Sequence, residues 1–224
     1  MEQDKNSRPS RRALGEWALD RLYELIFTGA LPAGTDLGEE ELSERLGVSR
    51  ATTSAALRQL EVDGLATVAA ANGRRVVATF GIADVHDLYT VRAVLESHAA
   101  EEAAPQISED ELQRLRGLQT EMETLSRSLR DPTRRDFGVD FDFHRVIVQA
   151  AGSRRIEACL IPIWNQTHAL LRHLYSLGVY GDDVEDDAAY RDHHAILDAL
   201  ASHHAAAAGN AMRAHLYGRR DKLI

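Results

Sequence analysis

At 224 residues the chain has room for two domains, each with its own hydrophobic core. Its 35 acidic side chains against 26 basic ones give a formal charge of −9, which excludes a protein that coats nucleic acid through bulk positive charge. The single cysteine excludes an intramolecular disulfide. The polar start MEQDKNSRPSRR carries no secretory signal, and no apolar run reaches a membrane span, so no membrane partner and a cytoplasmic location are expected.

Residues 1–10 read as a polar arm, with Arg8, Arg11 and Arg12 either brushing phosphate or simply solvated. From Ala13 to Thr28, the residues Leu14, Trp17, Ala18, Leu22, Leu25 and Ile26 recur at spacings of three and four, which predicts an amphipathic helix. Gly29 and Pro32 end it, and Gly34 turns the chain onward. Glu40 to Leu46 predicts a short helix with Leu42 and Leu46 on one face, closed by Gly47. Ser49 stands at the N-cap of a second helix that offers Ala56, Leu57, Leu60 and Val62 for packing and stops at Gly64. The β-prone runs Leu65–Val68 and Arg75–Ala78 flank the turn Ala71-Asn72-Gly73, a hairpin pattern. Helix, tight turn, helix and hairpin make a winged helix-turn-helix, although a helical hairpin that only packs would share much of the pattern. Charge supports the first reading. Between residues 45 and 79, the arginines at 45, 50, 58, 74 and 75 face only Glu61 and Asp63.

The segments LPAGTDLGEEELSERLGVSR, LRQLEVDGL and NGRRVV occur in order and in register. They resemble the DNA-binding domain of GntR-type transcriptional regulators over residues 1–78. The resemblance implies double-stranded operator DNA as partner, with Arg50, Thr52 and Arg58 facing the duplex and Gly73 and Arg74 at the wing tip. Two departures from the family pattern stand out: Glu40 and Ser54 occupy positions where arginines that touch operator DNA are common. They bear on the operator sequence and on binding strength.

Beyond Thr79-Phe80-Gly81 every stretch reads as helix: Ile82–Ala104, then Ser108–Arg130 with a capping-box start and a stop at Asp131-Pro132. Arg134–Ala151 follows, then Arg154–Tyr175 with a kink expected at Pro162. After a loop at 178–181 come Asp183–Ser202 and Ala205–Lys222. Cys159, inside an apolar stretch, is expected to be a buried thiol. The fold class is therefore mostly α: the winged helix-turn-helix with its small β wing, and an all-α antiparallel helical bundle over 79–224.

Asp140 and His144, four apart, share one face of a helix; His193 and His215 lie on two others. A carboxylate and three imidazoles can converge inside a bundle and suit a divalent ion such as Zn, Ni, Fe or Mn, with Zn favoured. In a chain with ten histidines the same spacing also arises by chance. The combination Val91-Arg92, Leu95-Glu96, Asp140-Phe-Asp-Phe-His144, His193-x-x-Ile-Leu-Asp-Ala-Leu and Arg213-Ala-His215-Leu resembles the ligand-binding domain, called FCD, of the FadR subgroup. That resemblance implies Asp140, His144, His193 and His215 as metal ligands and a small carboxylate as effector. Arg92 is the candidate counter-charge for that carboxylate, or else a salt-bridge partner of Glu96 one turn on. Asn165 and His168 are candidates to line the pocket or plain core and surface residues. Asp142 and His194 point elsewhere by helix geometry.

The function that follows is a ligand-responsive regulator, a repressor working as a homodimer on a two-fold operator and released by an organic acid. A metal-dependent hydrolase with Glu96 or Glu157 as general base, or a sensor whose effector is the ion itself, are the alternatives.

Overall fold

Leu22, Leu57 and Leu60 are fully buried and mark the seam on which the N-terminal part of the chain is built. Leu22 lies on α1 (Arg11–Phe27), and the other two lie on α3 (Arg50–Val62), which packs against α1. The short α2 (Glu39–Leu46) buries Leu42 and Leu46 on the expected face. Gly47 ends it in the left-handed region at φ 66°, where a Cβ is strained. The Ser49 side chain caps α3 by accepting from Thr52 N at 3.2 Å. Strands β1 (Ala66–Val68) and β2 (Arg75–Val77) pair antiparallel with Ala66 opposite Val77. Gly73, at φ 68°, donates to Ala69 O at 2.9 Å and closes the hairpin.

The structure, a computed structural model, describes residues 11–71, 73–128, 137–178 and 187–224. Arg8, Asn72, the Asp131-Pro132 stop and most of the loop placed at 178–181 lie outside the described residues. The chain divides into two compact units, Met1–Thr79 and Phe80–Ile224.

In the second unit α4 (Ile82–Ala103) lies against α6 (Gly138–Ala150), α7 (Arg154–Ser176) and α9 (Ala205–Leu223). Helix α5 (Glu109–Ser128) packs on α6 and on α8 (Asp187–Ala201), and α8 packs on α9. Local chemistry explains the starts. Ser108 and Glu111 form the expected capping box, with Ser108 N donating to Glu111 Oε2 at 2.8 Å and Glu111 N to Ser108 Oγ at 3.3 Å. Where α9 lies on α4, the Glu101 side chain occupies the space above Gly209, and a Cβ there would stand 2.3 Å from it. Helix α7 runs through Pro162 without ending. Among the described residues no helix is long and apolar enough to cross a membrane.

Three packing expectations fail for one reason, the angular width of a helical stripe. Trp17 is 48% exposed because it shares a line with the solvated Arg21 and Glu24, whereas Ala18, Leu22, Leu25 and Ile26 form the buried stripe. Val62 is 77% exposed beyond Arg58 and Gln59, and Thr53 takes a fully buried position instead. Cys159 is exposed rather than buried, since the packed line of α7 runs through Leu160, Trp164 and Leu171, about 100° away.

Candidate metal centre and nucleic-acid interface

Helix α6 presents Asp140 and His144, α8 presents His193 and α9 presents His215, and one ligand atom from each lies within 4.8 Å of all the others. Asp140 Oδ1 stands 3.4 Å from His193 Nε2, and Asp140 Oδ2 stands 4.0 Å from His144 Nε2. The His193 and His215 rings are 4.5 Å apart between centroids. All three imidazoles are buried, and Asp140 keeps 33% of its side chain accessible although it sits deep in the protein mass. The neighbours behave as the helix geometry predicts. Asp142 turns to Arg145 at 3.1 Å, and His194 turns to Glu123 at 3.3 Å.

Behind His144 stands Glu96, weighed in the sequence as a general base or as the salt-bridge partner of Arg92 and not as a support for a ligand. Glu96 Oε2 lies 2.5 Å from His144 Nδ1. The same carboxylate accepts from Arg92 Nε at 2.7 Å and from Trp164 Nε1 at 2.9 Å through Oε1. The signal was present in the sequence as two charged residues on the apolar face of α4, beside Val85, Leu88 and Tyr89. On α8, Asp192 Oδ2 stands 3.7 Å from His215 Nδ1 and plays a similar part. Carboxylates behind imidazoles orient the rings and raise their basicity as ligands.

The electrostatics suit a cation. Burial pushes the pKa of His193 well below its ordinary value, and burial outweighs Asp192 in lowering that of His215, so both rings are neutral at neutral pH with lone pairs to give. Burial alone would raise Asp140, yet His144, His193 and His215 overcome it and hold the carboxyl well below the usual range. Glu96 is likewise opposed by burial but held at about 2 by Arg92 and His144. Both nitrogens of His193 are buried without a hydrogen-bond partner. Unpartnered buried polar atoms cost free energy, and an ion among them removes that cost.

Arg92 makes the salt bridge to Glu96, and its guanidinium lies over the Tyr89 and Phe141 rings at 5.3 and 5.2 Å. Its Nη2 remains buried with no partner. Glu96 is held by Arg92, Trp164 and His144, and Glu157 accepts from Gln149 at 2.8 Å. His168 is buried and stacks on Phe141 at 5.4 Å, which makes it a core residue. Asn165 is half-buried on α7 and is not joined to the four-residue cluster by any hydrogen bond among the described residues.

In the first unit the residues expected to meet DNA are exposed: Arg50 begins α3, Arg58 lies two turns on, and Gly73 and Arg74 sit at the wing. Thr52 is half-buried, its hydroxyl 2.9 Å from that of Ser49. Each arginine has an internal partner. Arg50 pairs with Glu40, Arg58 donates to Ser54 Oγ at 2.9 Å, and Arg74 pairs with Asp36 at 2.5 Å. Arg12, read in the sequence as either brushing phosphate or solvated, pairs with Glu16 at 2.8 Å.

Comparison with known proteins gives two family matches: bacterial regulatory proteins of the gntR family over residues 14–76, and the FCD domain over residues 87–218. The Uxu operon transcriptional regulator of Escherichia coli K12 is 30% identical over 214 residues, covering 83% of this chain and 77% of its own. YdhC of Bacillus subtilis 168, an HTH-type transcriptional regulator, is 25% identical over 198 residues, covering 88% and 84%. Among solved structures, Escherichia coli McbR/YncC superposes with a TM-score of 0.79 at 18% identity, covering 94% and 96%. A GntR-type regulator from Rhodococcus sp. RHA1 gives 0.74 at 22%, covering 93% and 96%. At such identities these two likenesses speak for the fold alone.

Proposed function

This chain belongs to the gntR family of bacterial regulators that carry an FCD domain, and from that premise we propose how its two units work together. It is a transcriptional regulator with a DNA-binding head. The bundle holds a divalent ion through Asp140, His144, His193 and His215, and it answers to a small carboxylate. The observation that carries this reading is the convergence on one carboxylate, within 4.8 Å, of three buried imidazoles with ring nitrogens that lack hydrogen-bond partners. Nitrogen donors with one oxygen donor favour Zn, and Ni, Fe or Mn fit the same set. Such an ion, when bound, would offer open positions to carboxylate oxygens.

The residues of the chain do the remainder. Glu96 and Asp192 aim the imidazoles, and the free Nη2 of Arg92 supplies a donor for an anionic effector, with Asn165 as a further candidate contact. In a homodimer two heads meet a two-fold operator through Arg50, Thr52, Arg58, Gly73 and Arg74. An effector that prefers one arrangement of the bundle shifts operator affinity by the same factor by which DNA shifts effector affinity. The protein acts as a repressor that releases its operator when the effector binds.

Metal analysis of the purified protein tests the centre. Stoichiometric metal in the wild type and weaker, more readily chelated metal in Asp140→Ala is the expected result; a wild type that holds no metal after dialysis against Zn²⁺ rejects it. Thermal-shift screening of small carboxylates on the metal-loaded protein, followed by promoter-fragment retardation with each hit, tests the effector.

A further inference from the structure

The arginine that opens the DNA-entering helix does not stand alone. Arg50 Nη2 contacts Glu40 Oε1 across the turn between α2 and α3, and both side chains remain largely in solvent, at 64% and 70% exposure. An exposed pair of this kind adds little to stability, so stability does not explain why Glu40 reaches for this arginine. Its neighbour Glu39 takes the other available course, turning to Arg75 at 3.3 Å. One face of α3 carries Arg50, Ser54 and Arg58 at successive turns, with Arg58 donating to Ser54 Oγ at 2.9 Å. Glu40 therefore places a carboxylate at the end of the strip that enters the groove, beside the residue at which a recognition helix first meets base edges.

A carboxylate there selects among bases. It accepts hydrogen bonds only, so guanine N7 and O6, thymine O4 and phosphate oxygens repel it. Adenine offers its N6 donor beside the N7 acceptor. Cytosine offers N4 with no acceptor next to it in the major groove. We propose that Glu40 is a specificity-determining residue of the head, accepting from a cytosine N4 amine next to the base that Arg50 contacts and holding the Arg50 guanidinium for that contact. The pair also lowers affinity for arbitrary duplexes, because a free Arg50 would neutralise a phosphate and Glu40 opposes that. This inference rests on operator binding as read above.

Selection of duplexes from a library with a randomised half-site tests it, using full-length wild type, Glu40→Gln, Glu40→Ala and Arg50→Ala. Wild type is expected to enrich cytosine at one position per half-site by about fivefold or more over the other bases. Glu40→Ala should lose that preference, and Glu40→Gln should move it toward adenine, which an amide reads through N6 and N7. Glu40→Ala should also bind a mixed-sequence duplex more tightly, with a salt slope steeper by about 0.9, one released counterion. A preferred sequence that is the same in wild type and in both Glu40 variants overturns the role of Glu40 and leaves operator binding standing. A wild type that enriches no sequence overturns both. Thermal unfolding of each variant, expected to match wild type at so exposed a position, confirms that the comparison is between folded proteins.

Discussion

Glu96 and His144 meet inside the bundle, 2.5 Å apart between Oε2 and Nδ1, with both side chains fully buried on two different helices. The contact leaves His144 Nε2 as the nitrogen turned toward Asp140. Replacing Glu96 by Gln removes the anion that fixes this ring and leaves Arg92 buried beside a neutral amide. Metal affinity is expected to fall about 10–100-fold, as read by competition with a chromophoric chelator. Unchanged affinity would mean that the carboxylate serves packing alone.

Removing the metal should reveal how much of the bundle's stability resides in the centre. A ligand bound only by the folded state adds about 2.7 kcal/mol when present at 100 times its dissociation constant. Chelation is therefore expected to lower the melting temperature of wild type. His193→Ala, which lacks a ligand and leaves a cavity, should already melt low and respond little to chelator. Equal chelator shifts in the two proteins would place the ion elsewhere.

Helix spacing put Asp140 and His144 on one side, but with ten histidines in the chain it was the resemblance to the FCD domain that joined His193 and His215 to them. What supports them was hidden. Trp164 and Glu96 are 68 residues apart, and only the packing of α7 on α4 brings the indole N–H to the carboxylate. The boundaries of α2, α3, α4 and α9 were readable from caps and glycines, which act locally. Exposure at Trp17, Val62 and Cys159 was not, since it depends on how wide a stripe the neighbouring helix covers. The Arg50–Glu40 pair joins two elements across a turn whose angle the sequence does not state, although the unusual acid at position 40 was visible in advance.

Arg50 begins the exposed face of α3, and its partner Glu40 is also in solvent. Arg50→Ala should weaken operator binding by 1–3 kcal/mol if the guanidinium reads a base, roughly 5- to 150-fold. Metal content and thermal stability should not change, because the substitution lies in a unit with its own core. Retardation of a selected operator fragment at fixed salt gives the first quantity, and elemental analysis gives the second. Loss of metal in this variant would show that head and bundle do not fold independently.

Tyr23 on α1 donates its hydroxyl to Asp63 at the end of α3, where Gln59 Nε2 also donates to the same carboxylate at 3.0 Å. Burial, with Asp63 adding to it, raises the Tyr23 pKa well above its ordinary value of 10.0. The folded head therefore keeps this proton in a range where the unfolded chain has lost it. By linkage, stability falls wherever the unfolded state binds fewer protons. Tyr23 thus contributes fully below pH 10, and its contribution is lost as pH rises from there through the folded-state value. Tyr23→Phe should cost about 1.5–3 kcal/mol at neutral pH through the missing hydrogen bond to a charged acceptor. The same variant should flatten the decline in head stability above pH 10, so that the two proteins converge there. Urea unfolding of both at pH 7 and at pH 10.5 measures this, and a constant difference between them would show that Tyr23 does not keep its proton in the folded head.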